Sequence, residues 1–173
     1  MKQNALLAML AGGDRRSIGR SVEVAAEVLA NPLLFKAIVR GMSSDDPIIR
    51  MRAADAAEKI TLHNPGLLQA HRKTLLRIAR SDQQEVRWHM AQLFSRVTWT
   101  RSERKTILSI LQDYLKDKSS IVRTFAMQAL ADQAEQDRTL RTSIVKQIRM
   151  LVDSGTPAMK SRGKKLLERL SRS

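Results

Sequence analysis

Few residues in this chain have the types and spacing that chemistry requires. The three histidines, His63, His71 and His89, have no cysteine among 173 residues to join them. No carboxylates stand at metal-ligand spacing beside them, so a structural zinc site is excluded and no metal or cofactor is expected. Asp45-Asp46 is an adjacent carboxylate pair, but at a helix start such residues cap the helix and offset its dipole. Gly12-Gly13 lacks the preceding strand that a phosphate-binding loop needs. The serines do not occur in a nucleophile elbow. The residues that remain are two tryptophans, Trp88 and Trp99, the acids Asp55 and Asp132, and many cations. Binding rather than catalysis is the chemistry these residues imply.

Charge gives that reading direction. Thirty-one Lys and Arg oppose seventeen Asp and Glu, a net charge of +14. A positive field of this size concentrates polyanions, so nucleic acid or an acidic protein is the expected partner. Aromatics are only 3% of the chain, too few for a platform that stacks single-stranded bases. Charge is densest at the C-terminal end, where Lys160, Arg162, Lys164, Lys165, Arg169 and Arg172 face Glu168 alone between positions 156 and 173. The apolar run Ala5–Ala11 is too short to span a membrane and has the wrong flanks for a cleaved signal. A soluble cytoplasmic protein with no membrane partner is expected.

The elements that position these groups repeat about every 37 residues. Arg50, Arg87, Arg123 and Lys160 lie 37, 36 and 37 positions apart, each after an aliphatic residue or Met. Each opens a stretch with apolar residues at three- and four-residue steps, such as Ile49, Ala53, Ala56, Ala57 and Ile60. Asp46-Pro47 starts one such helix with a cap and a proline at its first position, and Asn64-Pro65-Gly66 ends it. Leu67 to Ile78 and Val86 to Val97 read as the next pair. Residues 102–116 and 119–134, then 138–152 and 156–170, supply two more. A less regular pair is expected near 3–10 and 14–30. The reading is a single all-α domain: an irregular N-terminal pair over 1–30, then units 31–65, 66–100, 101–137 and 138–173. Stacked in this way they form a right-handed α-solenoid of about five antiparallel helix pairs.

Asp46-Pro47-Ile48-Ile49-Arg50 with Ala53 and Ala56-Ala57 resembles the HEAT repeat family in its short, HEAT-like form. Gln84-Glu85-Val86-Arg87 and Ser120-Ile121-Val122-Arg123 match more loosely. The last unit departs further, with Lys160 for Arg and Gly163 where Ala would sit. The resemblance covers roughly 31–171. It implies that the repeated acid and arginine pair between neighbouring units, so Asp46, Arg50, Arg87 and Arg123 form a structural ladder, incomplete toward the C-terminus. It also implies a concave face built from the second helices. Counted outward from the apolar stripes, that face carries Arg52, Asp55 and Lys59, then His89, Gln92 and Arg96, then Phe125, Gln128 and Asp132, and finally Arg162, Lys165 and Arg169. Arg52, Lys59, His89, Arg96, Phe125, Arg162, Lys165 and Arg169 are the expected partner contacts.

A second resemblance is weaker. Alkylpurine DNA glycosylases of the AlkD type are basic HEAT-like solenoids that hold duplex DNA in a cleft and use cleft aromatics with an aspartate. Trp88, Asp55 and Asp132 are the nearest matches here. No tryptophan stands four residues from either acid, and the chain is short for that enzyme. The expected function is therefore a non-catalytic scaffold or adaptor that engages a polyanionic or acidic partner, with nucleic acid favoured. A pure protein-interaction module and a glycosylase are the alternatives.

Overall fold

A computed structural model describes residues 3–14 and 16–172. Ten α-helices and three short 3-10 turns make up its regular structure, with no strand among the described residues. No helix there is long and apolar enough to cross a membrane. The chain divides into two compact units, Met1–Trp99 and Thr100–Ser173.

The first unit holds α1 (Gln3–Ala8), α2 (Ser21–Ala30), α3 (Phe35–Gly41), α4 (Pro47–His63), α5 (Arg72–Ile78) and α6 (Gln84–Phe94). Helix α4 is its axis and packs against α2, α3 and α6. Its sequence explains why: Ala53, Ala54, Ala56 and Ala57 are all buried, and side chains this small let neighbouring backbones approach from several sides. Leu6, Val24, Val28, Phe35, Ile38, Leu75, Met90 and Phe94 fill the space around it. The Asp46 side chain accepts from Ile48 N, and Pro47 takes the first position, as expected of a capped start. The second tryptophan is also core: Trp99 packs edge-on against Phe94 and donates its indole N–H to Phe94 O at 2.8 Å.

The irregular N-terminal pair differs from expectation. Helix α2 starts at Ser21, not near Asp14, and residues 11–14 and 16–20 lie outside any helix. Three glycines there, Gly12, Gly13 and Gly19, adopt positive φ, which ends helical geometry. Gly19 also has no room for a side chain, since a Cβ there would lie 2.6 Å from Arg52 Cζ.

The second unit holds α7 (Arg101–Tyr114), α8 (Ser120–Gln136), α9 (Arg141–Ser154) and α10 (Pro157–Arg172). Thr100 and Glu103 form a reciprocal capping box on α7, and Ser119 caps α8. Helix α10 packs on both α8 and α9 through Met159, Gly163, Leu166 and Leu170. The glycine that breaks the repeat pattern has a steric cause. A Cβ at Gly163 would overlap Val152 Cγ2 of α9, so the close helix crossing excludes the alanine found in other units.

Candidate functional site

Arg50 and Arg87 each tie down the turn before their own helix through a backbone carbonyl. Arg50 donates to Ser44 O at 2.7 Å and Asp45 O at 3.2 Å, closing the turn before its helix. It also donates to Gln83 Oε1 at 3.0 Å, and Gln83 returns a hydrogen bond to Pro47 O at 2.9 Å. The inter-repeat link is thus an arginine–glutamine bridge. Asp46 has its own helix start to satisfy. Arg87 repeats the intra-unit contact on Ser81 O at 2.6 Å. Arg123 Nε is buried without a hydrogen-bond partner.

Charge pairing between repeats occurs instead on the row expected to meet a partner. In the first unit Arg96 reaches from the turn after α6 to α4, pairing with Glu58 at 2.5 Å and donating to Thr61 Oγ1 at 2.8 Å. Lys59 pairs with Asp55 at 2.6 Å, and Ser21 donates to the same carboxylate at 2.5 Å. His89 lies 3.9 Å from Asp55 and is only 8% exposed. Burial pushes its pKa down to about 4, although Asp55 and Glu58 pull it upward, so the ring is neutral at pH 7. In the second unit Arg162 donates from α10 to Gln128 Oε1 of α8 at 3.0 Å and lies 5.9 Å above the Phe125 ring. Arg169 joins Asp132 at 2.5 Å and Glu135 at 2.8 Å. These side chains are engaged in register contacts, where the sequence reading had them available to a ligand. A spacing of 34 to 38 residues between opposite charges, as in Glu58 and Arg96 or Asp132 and Arg169, was the signal that distinguishes the two uses.

Arg52 departs furthest from expectation. It is 3% exposed, and its guanidinium donates to five backbone carbonyls, those of Leu10, Ala11, Gly12, Asp14 and Ser17. It is the keystone of the segment before α2. A buried charge needs such a shell of acceptors to offset lost hydration, and the glycines let the chain curl tightly enough to supply it.

Two of the arrangements open to a ligand involve the residues singled out from sequence. One is a cavity of about 440 Å³ in the first unit, lined by Arg16, Ser17 and Ile18 before α2, Met51, Arg52 and Asp55 of α4, and Glu85, Trp88 and His89 of α6. Trp88 therefore lines a concavity while Trp99 does not. Asp55, the acid in that cavity, is already bonded to Lys59 and Ser21. The other is the outer face of α10, where Lys160, Lys164, Lys165 and Arg172 are exposed with Glu168 the single acid on the helix. Arg172 pairs with Glu168; Lys160, Lys164 and Lys165 have no ion-pair partner among the described residues. Exposed Lys146 and Arg149 extend the charge onto α9. No group of three or more His, Asp or Glu is placed to hold a metal among the described residues.

No family model matches the chain, and no curated protein matches it. Among solved structures it is similar to two engineered proteins determined by the Northeast Structural Genomics Consortium. One is 17% identical, with a TM-score of 0.68 over 98% of this chain and 79% of the other. The second is 16% identical, with a TM-score of 0.65 over 97% and 80%. At that identity the likeness shows the all-helical fold alone.

Proposed function

We propose that the chain is a non-catalytic, cytoplasmic binding module, a right-handed HEAT-like solenoid of about five helix pairs, that engages the phosphate backbone of nucleic acid. One observation carries the reading. Of the cations expected to meet a partner, Arg52, Lys59, Arg96, Arg162 and Arg169 have intramolecular partners, whereas Lys165 has none among the described residues and stands exposed on α10 beside Lys160 and Lys164. Each of those five is held by an acceptor within the fold. Lys160, Lys164 and Lys165 have no such partner, and lysines displayed on one helix suit phosphates as point charges. The engagement of Asp55 by Lys59 and Ser21 supports a binding role over glycosidic chemistry, because a carboxylate held by two donors is a poor nucleophile or base.

Backbone contacts of this kind release counterions, each phosphate neutralised adding about −0.9 to the slope of log K against log salt. Binding to a 20-base-pair duplex, followed by gel shift from low to physiological salt, is expected to weaken with a slope of roughly −2 to −4. It is expected to show little sequence preference. Absence of a shift at low salt would remove nucleic acid as the partner and leave an acidic protein surface.

A further inference from the structure

The cavity in the first unit holds two charges with no opposite partner among the described residues. Arg16 and Glu85 both line it, one from the segment before α2 and the other from the first turn of α6. Neither side chain has an oppositely charged partner within 4.0 Å among the described residues. Glu85 Oε2 is buried with no hydrogen-bond donor, and its other oxygen has only Gln84 Nε2 at 3.5 Å. A desolvated carboxylate left short of donors is costly, and natural folds rarely keep one without use. Every other charge around the cavity is accounted for: Arg52 by five carbonyls, Asp55 by Lys59 and Ser21. Ile18, Met51 and Trp88 add apolar lining.

Asp14 and Ser17, near Arg16 in the chain, are both anchored. Arg52 takes the carbonyls of Asp14 and Ser17, on either side of Arg16, at 3.1 and 3.0 Å. Arg16 N adds a bond to Asp14 Oδ1 at 3.0 Å. Glu85 and Trp88 are three residues apart on α6 and share one helix face. Groups held in this way need little ordering when a ligand arrives. A volume of about 440 Å³ lies within the range of small-molecule sites and suits a ligand of about a dozen heavy atoms.

We infer that this cavity binds a small amphoteric molecule of the amino-acid type: a protonated amine on Glu85, an anionic group on Arg16, and an apolar or ring-bearing body against Trp88, Met51 and Ile18. The site is independent of the polyanion surface on α10.

The test uses the full chain and L-phenylalanine as probe. Calorimetry gives the affinity, and the two indole N–H resonances locate the site. Trp99 Nε1 is tied to Phe94 O and serves as internal reference. Phenylalanine is expected to bind saturably, to move the Trp88 signal and to leave that of Trp99 in place. Phenylalaninamide lacks the anion and N-acetylphenylalanine lacks the cation, and each is expected to bind at least about tenfold more weakly. Glu85→Gln is expected to bring phenylalanine and its N-acetyl form within about twofold of one another. Arg16→Gln, an exposed loop change that leaves the core alone, should do the same for phenylalanine and its amide. The inference is overturned if no probe saturates, if the Trp88 resonance stays still, if either analogue matches phenylalanine, or if the variants keep the wild-type ranking.

Discussion

The two units differ in where their most distinctive cations stand. In the first, cations are drawn inward: Arg52 is almost wholly buried, and Lys59 and Arg96 are tied to carboxylates of α4. In the second, Arg162 and Arg169 link α10 to α8, but Lys160, Lys164 and Lys165 project from the outer face of that helix. Net charge does not separate the units strongly, since residues 1–99 hold fifteen Lys and Arg against nine acids and residues 100–173 hold sixteen against eight. What differs is the arrangement: Lys36, Lys73, Arg77 and Arg80 of the first unit are also exposed without a partner among the described residues, but they are spread over α3, α5 and the turn after α5, whereas Lys160, Lys164 and Lys165 share one helix. A buried positive charge in the first unit is a structural element. The same charge on α10 is a surface available to others.

That contrast breaks most visibly at Arg52. Arg52→Met would leave five carbonyls without their donor and release the segment before α2, at an expected cost of about 3–5 kcal/mol. Urea denaturation should show the midpoint fall, and amide exchange should show protection lost over residues 11–20. A change below about 1 kcal/mol would show that the segment is held by other contacts.

His89 sharpens the comparison through pH. Its folded pKa of about 4 lies below its ordinary value of 6.5, so the folded state binds fewer protons than the unfolded one. Its contribution is present above pH 6.5 and is lost as pH falls toward 4, on the order of 2–3 kcal/mol. The charges around it, Asp55, Glu58, Lys59 and Arg96, remain in His89→Gln. That variant is expected to flatten the stability profile across this window. An unchanged profile would assign the acid sensitivity to other groups.

Smaller effects belong to the second unit. Gly163→Ala forces a methyl against Val152 and is expected to cost about 1–3 kcal/mol by thermal melting, even though the repeat pattern favours alanine there. A neutral or stabilising result would mean that α9 and α10 separate freely. Arg169→Met removes a part-exposed ion pair with Asp132 and Glu135 and should cost no more than about 1 kcal/mol.

Much of the architecture is legible in the sequence. The 37-residue period, the Asp46-Pro47 start and the breaks at Asn64-Pro65 and Asp137 mark real helix boundaries, because caps and prolines act locally. The segment before α2 was missed: Gly12, Gly13 and Gly19 take positive φ around Arg52, a contact 33 or more residues distant. The site was legible only in part. Helical counting places Arg52, His89 and Arg169 on the correct helices and Arg96 just past the end of its helix, but whether such a side chain faces solvent or crosses to a neighbour depends on what stands one repeat away. Glu58 and Asp132 decide that for Arg96 and Arg169. The cavity needed Arg16, Glu85 and Trp88 from two distant segments, a juxtaposition that no local pattern encodes.

The central claim is that the unpartnered charge on α10 is the binding surface. Fluorescence anisotropy with a labelled duplex at low salt, comparing wild type with the triple variant Lys160→Glu, Lys164→Glu and Lys165→Glu, tests it most directly. Three exposed positions should leave stability within about 0.5 kcal/mol. Affinity is expected to fall by at least about 100-fold, and the salt slope to lose roughly two to three phosphates. A variant that binds as tightly as wild type, with the same slope, would contradict the claim.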